Sequence, residues 1–259
     1  MRRSDAGSVT MVAVVYALVY LPIALVVLTS FNEATITTLP IRAYSLIWYE
    51  ALLSNTRTLA ALRVSIELGL LASAAATVLG LCAALAVTRH QFRGRRAFLA
   101  LMTLPMVAPG IVLGVSLLIF IRTLGLKTGF AALLMGHTLL ALPYCTFIIV
   151  ASLARFDRSL EDAARGLGAG ELTVLRRVIL PGILPGLLGA LLFGFTISIG
   201  EFVVSFFLTS AGITTLPIRI YSIVKVGITP EINAVSTLIL AATLLLTVVA
   251  LRLTWTLKK

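Results

Sequence analysis

RFDRSLEDAARGLGAGELTVLRRVILP, residues 155–181, is the one long polar stretch in an otherwise apolar chain, and everything else is read from it. It carries five Arg and four carboxylates (Asp157, Glu161, Asp162 and Glu171), with apolar runs on both sides. Charge at this density does not sit in hydrocarbon, yet its order is not that of a random linker. Ser159-Leu160-Glu161-Asp162 has the form of a capping box, a hydroxyl at the N-cap with a carboxylate three residues on. Leu160, Ala163, Ala164 and Leu167 follow at helical spacing, with Glu161, Asp162 and Arg165 on the opposite face. Gly168 stands where a helix needs a left-handed C-terminal residue, and Gly170 keeps the turn open. A second short helix is expected from Glu171 to Ile179, ending at Pro181. The stretch therefore predicts a helix-turn-helix whose apolar face needs a partner, expected to be another protein.

Composition says what surrounds it. Of 259 residues, 59% are hydrophobic and 12% charged, with a mean hydropathy of +1.08. Soluble domains run nearer ~45–50% apolar and ~25% charged, so the chain is expected to be a polytopic membrane protein with membrane lipid as its main surroundings. The net charge of +11 would suggest nucleic acid in a soluble protein. Here the basic residues cluster at the ends of apolar runs, which argues against a nucleic-acid partner. Cys82 and Cys145 both lie inside apolar runs, so neither a disulfide framework nor a metal site follows from them.

Runs long enough to cross a bilayer, about 20 helical residues, occur at about 9–31, 64–88, 97–121, 130–154, 183–209 and 232–251. The fold class is expected to be all-α, with six transmembrane helices in one domain over 1–259 and segment 155–181 between spans four and five. The first run follows Arg2 and Arg3 like a signal peptide, but it is longer than the apolar part of one and no small-x-small site follows, so it reads as an uncleaved span. Tyr44, Trp48 and Tyr49, in the connection after it, suit a membrane interface. Pro105, Pro109, Gly110 and Gly114 predict a kinked or interrupted third span. With the N-terminus inside, inner segments hold fourteen Lys and Arg against seven outside. That bias puts both termini and the 155–181 segment in the cytoplasm. Thr37–Ser45 (TTLPIRAYS) recurs as Thr214–Ser222 (TTLPIRIYS), read as two similar amphipathic segments at the outer interface, or as a shared docking surface for an external partner.

Several chemistries are missing. No G-x-x-x-x-G-K-[ST] phosphate loop is present, nor H-E-x-x-H, G-x-S-x-G or a Cys/His cluster, so the chain is not expected to be an enzyme or to bind a cofactor. Glu201 stands in the middle of an apolar run of about forty residues. An ionisable group there normally faces a bundle interior or a water-filled cavity. With Gly200 it is the candidate for a cation-attracting substrate path; the alternative is a carboxylate hydrogen-bonded to a neighbouring span. Glu67, four residues after Arg63, is explained by a helical ion pair. His137 reads as a packed histidine more readily than as a proton relay. What remains is a transport pathway whose energy comes from elsewhere.

The polar segment resembles the EAA loop of ABC importer permeases, whose pattern is E-A-A-x3-G-x9-I-x-L-P. Asp162-Ala163-Ala164, Gly168 and Val178-Ile179-Leu180-Pro181 keep the full spacing, with Asp for Glu and Val for Ile. The resemblance implies that Asp162, Ala163, Ala164 and Gly168, with Glu161, Leu180 and Pro181, form the element that fits a cleft on a cytoplasmic ATPase dimer. It also implies a second homologous permease subunit, an external (periplasmic) substrate-binding protein, ATP used by the partner subunit, and residence in the bacterial inner membrane. Arg89–Arg96 before a Pro-broken span, and the run Leu216–Ala234, resemble the spermidine/putrescine branch. Where that branch places two adjacent Asp, this chain has Gly200-Glu201, a pair also found in relatives that carry iron, sulfate or thiamine. The resemblance thus implies polyamine import by alternating access. Opines, aminophosphonates, thiamine or ferric iron are the other solutes in view. A self-sufficient secondary transporter would need inverted halves with paired discontinuous helices, and no such halves are visible.

Overall fold

The computed structural model describes residues 2–35, 40–226 and 230–256. The described residues are mostly helical, and their only β features are two isolated bridges, Asn32–Tyr44 and Ser210–Ile213. It divides into two compact units, residues 1–59 with 220–244, and residues 60–219 with 245–259.

In the first unit, α1 (Arg2–Thr29) is a long apolar helix, exposed from Ser8 to Leu25 and buried only at its C-terminal end. Its C-terminal end is where packing begins. Ser30 Oγ and Tyr49 Oη are 2.7 Å apart, and Trp48 Nε1 donates to the Asn32 carbonyl at 2.8 Å. The Phe31 and Tyr49 rings stand 5.3 Å apart. These contacts anchor the short α2 (Ile47–Ser54) through its amphipathic aromatics, an apolar body with a polar handle. Asn233, in the first turns of α13 (Pro230–Thr256), donates to Thr29 Oγ1 at 3.1 Å. Thr37–Leu39 of the first repeat copy lie outside the described residues. The rest of that copy, 40–45, is irregular, whereas Leu216–Ser222 of the second begins α12 (Leu216–Val226), so the two copies are not structural equivalents.

The second unit is built around α6 (Phe130–Arg155), which lies along α10 (Leu184–Gly200). Small side chains allow the approach: Ala76, Ala84, Ala141, Cys145 and Ala190 are all fully buried in one cluster, and Cys145 Sγ donates to the Ala190 carbonyl at 3.3 Å. A second cluster joins Leu68 of α3 (Thr56–Arg89), Ile121 of α5 (Gly110–Thr123), Leu133 of α6, and Val204 and Leu208 of α11 (Val203–Leu208).

Two of the expected spans are discontinuous. α4 (Arg95–Val107) and α5 meet at 109° across Ala108-Pro109, as the proline and glycine content predicts. The fifth run is not one helix: α10 stops at Gly200 and α11 starts at Val203. Among the described residues, three helices are long and apolar enough to cross a membrane, Ser8–Thr29, Thr56–Arg89 and Phe130–Arg155. The bent pairs Arg95–Val107 with Gly110–Thr123, and Glu171–Gly182 with Leu184–Gly200, could make five.

Candidate coupling site

Segment 155–181 folds as a helix-turn-helix. α7 (Ser159–Gly166) is followed by α8 (Glu171–Val174), a π turn over Leu175–Ile179, and α9 (Leu180–Gly182). Helix α7 starts at Ser159, one residue earlier than expected, with Arg158 rather than Ser159 at the N-cap, and the capping box does not form. Asp157 Oδ1 instead accepts the Ser159 N–H at 2.9 Å, and this hydrogen bond holds the Asp157 carboxyl below its usual range. The second helix does not end at Pro181. The π turn, closed by Leu180 N–H to the Leu175 carbonyl, carries it on to Gly182, with Pro181 in the first turn of α9, where its missing N–H costs least.

The turn between the helices is a Schellman motif. Gly168 N–H bonds the Arg165 carbonyl at 2.9 Å and Ala169 N–H bonds the Ala164 carbonyl at 3.1 Å. Gly168 takes φ +85°, the left-handed conformation its position predicts. Arg165 fixes the angle between the helices. Its Nε and Nη2 make a forked pair with Glu171 Oε1 and Oε2 at 2.9 and 3.2 Å, and Nη1 reaches Asp162 Oδ1 at 3.3 Å. The Arg165 guanidinium holds the Glu171 carboxyl below its ordinary value.

The two faces of α7 are not disposed as the periodicity suggests. Leu160, Ala163 and Leu167 are exposed, Leu167 to 90%, while Glu161 is buried at 2%. Glu161 therefore does not share an outward face with Asp162. Its Oε1 accepts from Arg89 Nη2 at 2.5 Å, at the end of α3. Arg158 adds a second tie, donating from Nη2 to the Thr88 carbonyl at 2.7 Å, one of the last four carbonyls of α3. A cavity of about 640 Å³ lies alongside, lined by Leu85, Arg89, Glu161, Leu172 and Leu175 among others. The polar face of α7 thus anchors it to the chain, and its apolar face is left open. An exposed apolar patch rimmed by charge is the usual mark of a protein interface. Asp162, Ala163 and Gly168 sit on or beside that open side; Ala164 and Leu180 are half-buried and Pro181 is exposed. Sequence reads Arg89 only as the start of the basic run Arg89–Arg96 and does not pair it with Glu161, because the two lie 72 residues apart.

The other candidate, Glu201, sits at the break between α10 and α11. Its Oε1 accepts the Val204 N–H at 2.7 Å, capping α11, and the residue is half-buried, with Gly200 exposed beside it. His137 is packed, 1% exposed, between Ser198 and Ser205 at 2.7 and 2.8 Å. Arg63 and Glu67 form the expected surface ion pair at 2.6 Å. Among the described residues no group of His, Cys, Asp and Glu could hold a metal ion.

Residues 76–256 match the binding-protein-dependent transport system inner membrane component family. The chain belongs to this family. With its apolar helices, that makes it a multi-pass inner membrane protein. It is 39% identical over 237 residues to the spermidine/putrescine transport system permease protein PotC of Haemophilus influenzae, covering 92% of each chain. It is 34% identical to the putrescine transport system permease protein PotI of Escherichia coli K12, covering 88% of this chain and 83% of that one. A putative 2-aminoethylphosphonate transport system permease protein PhnV of Salmonella typhimurium is 27% identical over 94% of this chain and 92% of its own. Among solved structures, a bacterial ABC transporter for the acidic polysaccharide alginate matches with TM-score 0.75 at 14% identity, covering 100% of this chain and 97% of that one. The MetNI methionine ABC transporter matches with TM-score 0.61 at 20% identity over 78% of this chain and 94% of its own. These likenesses establish the fold of an ABC transporter membrane subunit, in agreement with the all-α expectation.

Proposed function

We propose that this chain is one permease subunit of an ATP-driven importer of polyamines, moved by a separate ATPase dimer that seats on the open face of α7. The observation that carries the reading is the division of that helix. Glu161 is buried against Arg89, while Leu160, Ala163 and Leu167 are exposed on the other side of the helix. A helix anchored on one face and apolar on the other transmits force between whatever docks on it and the span it is tied to. ATP then belongs to the partner, and no cofactor to this chain. A second homologous permease subunit completes the pathway, and a periplasmic binding protein delivers the solute. Both termini and α7 lie in the cytoplasm, on the bias of basic residues.

Polyamine is favoured because the relatives at 34–39% identity are named for spermidine and putrescine, against 27% for the aminophosphonate permease. Glu201 supports it physically: a carboxylate at a helix break suits a cationic solute, and discontinuous helices are where transporters place substrate sites. The test is uptake of labelled spermidine, putrescine and 2-aminoethylphosphonate by the assembled importer in proteoliposomes. Polyamine uptake that needs ATP and falls with Ala163→Asp is expected. Uptake of the aminophosphonate in preference would move the substrate assignment.

A further inference from the structure

Helix α11 has six residues, too few to be stable alone. Its position is set by α6. A Cβ on Gly136 would come within 2.8 Å of Val204 Cγ1 and 2.7 Å of Leu208 Cδ1, so only glycine lets the two helices approach this closely. One residue on, His137 reaches both sides of the break. Ser198, 2.7 Å from its Nδ1, lies in the last turn of α10, and Ser205, 2.8 Å from its Nε2, lies in the first turn of α11. One imidazole therefore spans the interruption that carries Glu201.

The protons follow from the bonds. Ser205 Oγ–H donates to the Glu201 carbonyl at 3.0 Å, so toward His137 this oxygen accepts, and Nε2 carries the hydrogen. Nδ1 is then the acceptor for the Ser198 hydroxyl, and one neutral tautomer serves both serine hydroxyls. The chain Ser198–His137–Ser205 ends on the Glu201 backbone, whose own N–H bonds the Ser198 carbonyl at 3.3 Å. Glu201 Oε1 is committed to the Val204 N–H, and Oε2 has no hydrogen bond among the described residues. The break is thus held on both flanks while one carboxylate oxygen stays available.

We propose that His137 is the positioning residue that holds the helix break and thereby aims Glu201 at the ammonium group of the passing solute. This rests on the reading of Glu201 as lining the substrate path. The experiment uses the full importer in proteoliposomes with labelled spermidine, recording initial uptake, spermidine moved per ATP hydrolysed, basal ATPase activity and subunit copurification. His137→Phe keeps the ring and removes both bonds. It is expected to lower uptake about tenfold, with a matching fall in spermidine per ATP, at unchanged basal ATPase activity and copurification. Should its two stranded serines block assembly, the triple variant His137→Phe/Ser198→Ala/Ser205→Ala removes them, and it is expected to assemble but not to regain uptake. Ser205→Ala, the mildest change, decides the matter if both ring variants are lost, with about a threefold fall expected. Wild-type uptake per assembled complex in His137→Phe, in the triple variant, or in Ser205→Ala when it stands alone, would overturn the proposal. Glu201→Gln run in parallel separates the two readings. Loss of uptake there with normal His137 variants sinks the positioning role alone; wild-type uptake in Glu201→Gln sinks the path reading beneath it.

Discussion

Removing the Glu161 carboxylate is expected to release α7 from α3. The pair it forms with Arg89 is buried, side chains 3% and 13% exposed, so solvent screens it little. Deleting one member of such a pair typically costs about 3–5 kcal/mol, because the other charge is left without a partner. Arg89 would suffer in particular, since among the described residues its Nε and Nη1 lack hydrogen bonds while its Nη2 bonds Glu161. Its slight exposure lets it turn outward, which argues for the lower end, about 3 kcal/mol. At ~1.4 kcal/mol per decade, the local opening equilibrium of α7 rises roughly a hundredfold. Amide hydrogen exchange of residues 159–168 in the assembled complex reads this directly, as faster exchange confined to α7. The double variant Arg89→Leu/Glu161→Leu, which removes both charges, is expected to recover much of the protection. Unchanged exchange in Glu161→Ala would show that the Arg158 tie suffices and that the buried pair is not the anchor.

Three further outcomes follow from the same geometry. Gly168 has φ +85° and open space within 4 Å of where a Cβ would stand, so Gly168→Val is expected to cost about 1–2 kcal/mol through backbone strain alone; Gly168→Asn should cost less, measured as ATPase copurification and exchange of 164–170. Gly136→Ala should displace α11 through Val204 and Leu208 and lower uptake without loss of ATPase binding. The carboxyls of Asp157 and Glu171 are held below their ordinary values of 3.8 and 4.5 by the Ser159 N–H and the Arg165 guanidinium. Their stabilisation is therefore complete above those values and is lost as pH falls through the lower folded-state ones. Protection of 157–171 should be flat from pH 8 to 5 and drop only below about pH 4, more weakly at high salt because both groups are exposed.

Local chemistry was the readable part. The start of α7 to within one residue, the left-handed Gly168 and the α4–α5 break at Pro109 all depend on residues within a turn or two of one another, and sequence spacing anticipates each. What sequence could not supply were partners brought together by folding. Glu161 has the periodicity of an outward residue, and only the return of Arg89 to the start of α7 turns it inward. The capping box failed for a local reason, Asp157 taking the Ser159 N–H before Ser159 could act as the cap. The fifth run reads as continuous because its break has neither proline nor a charge cluster. It is produced by the Glu201 side chain capping α11 and by His137, some sixty residues earlier, bonding across the gap. Residues 40–45 and 217–222, the described halves of the repeat, show the opposite error, near-identical sequence that is irregular in one copy and helical in the other.

Whether this subunit is driven through the outward face of α7 is tested most directly by one measurement. It is labelled spermidine uptake, with ATP, into proteoliposomes holding either the complete importer or this chain alone, each with wild-type and Ala163→Asp sequence. Uptake is expected from the complete wild-type importer only, with the Ala163→Asp form losing both ATPase copurification and transport. Uptake by this chain alone, or full transport with Ala163→Asp, would contradict that mechanism.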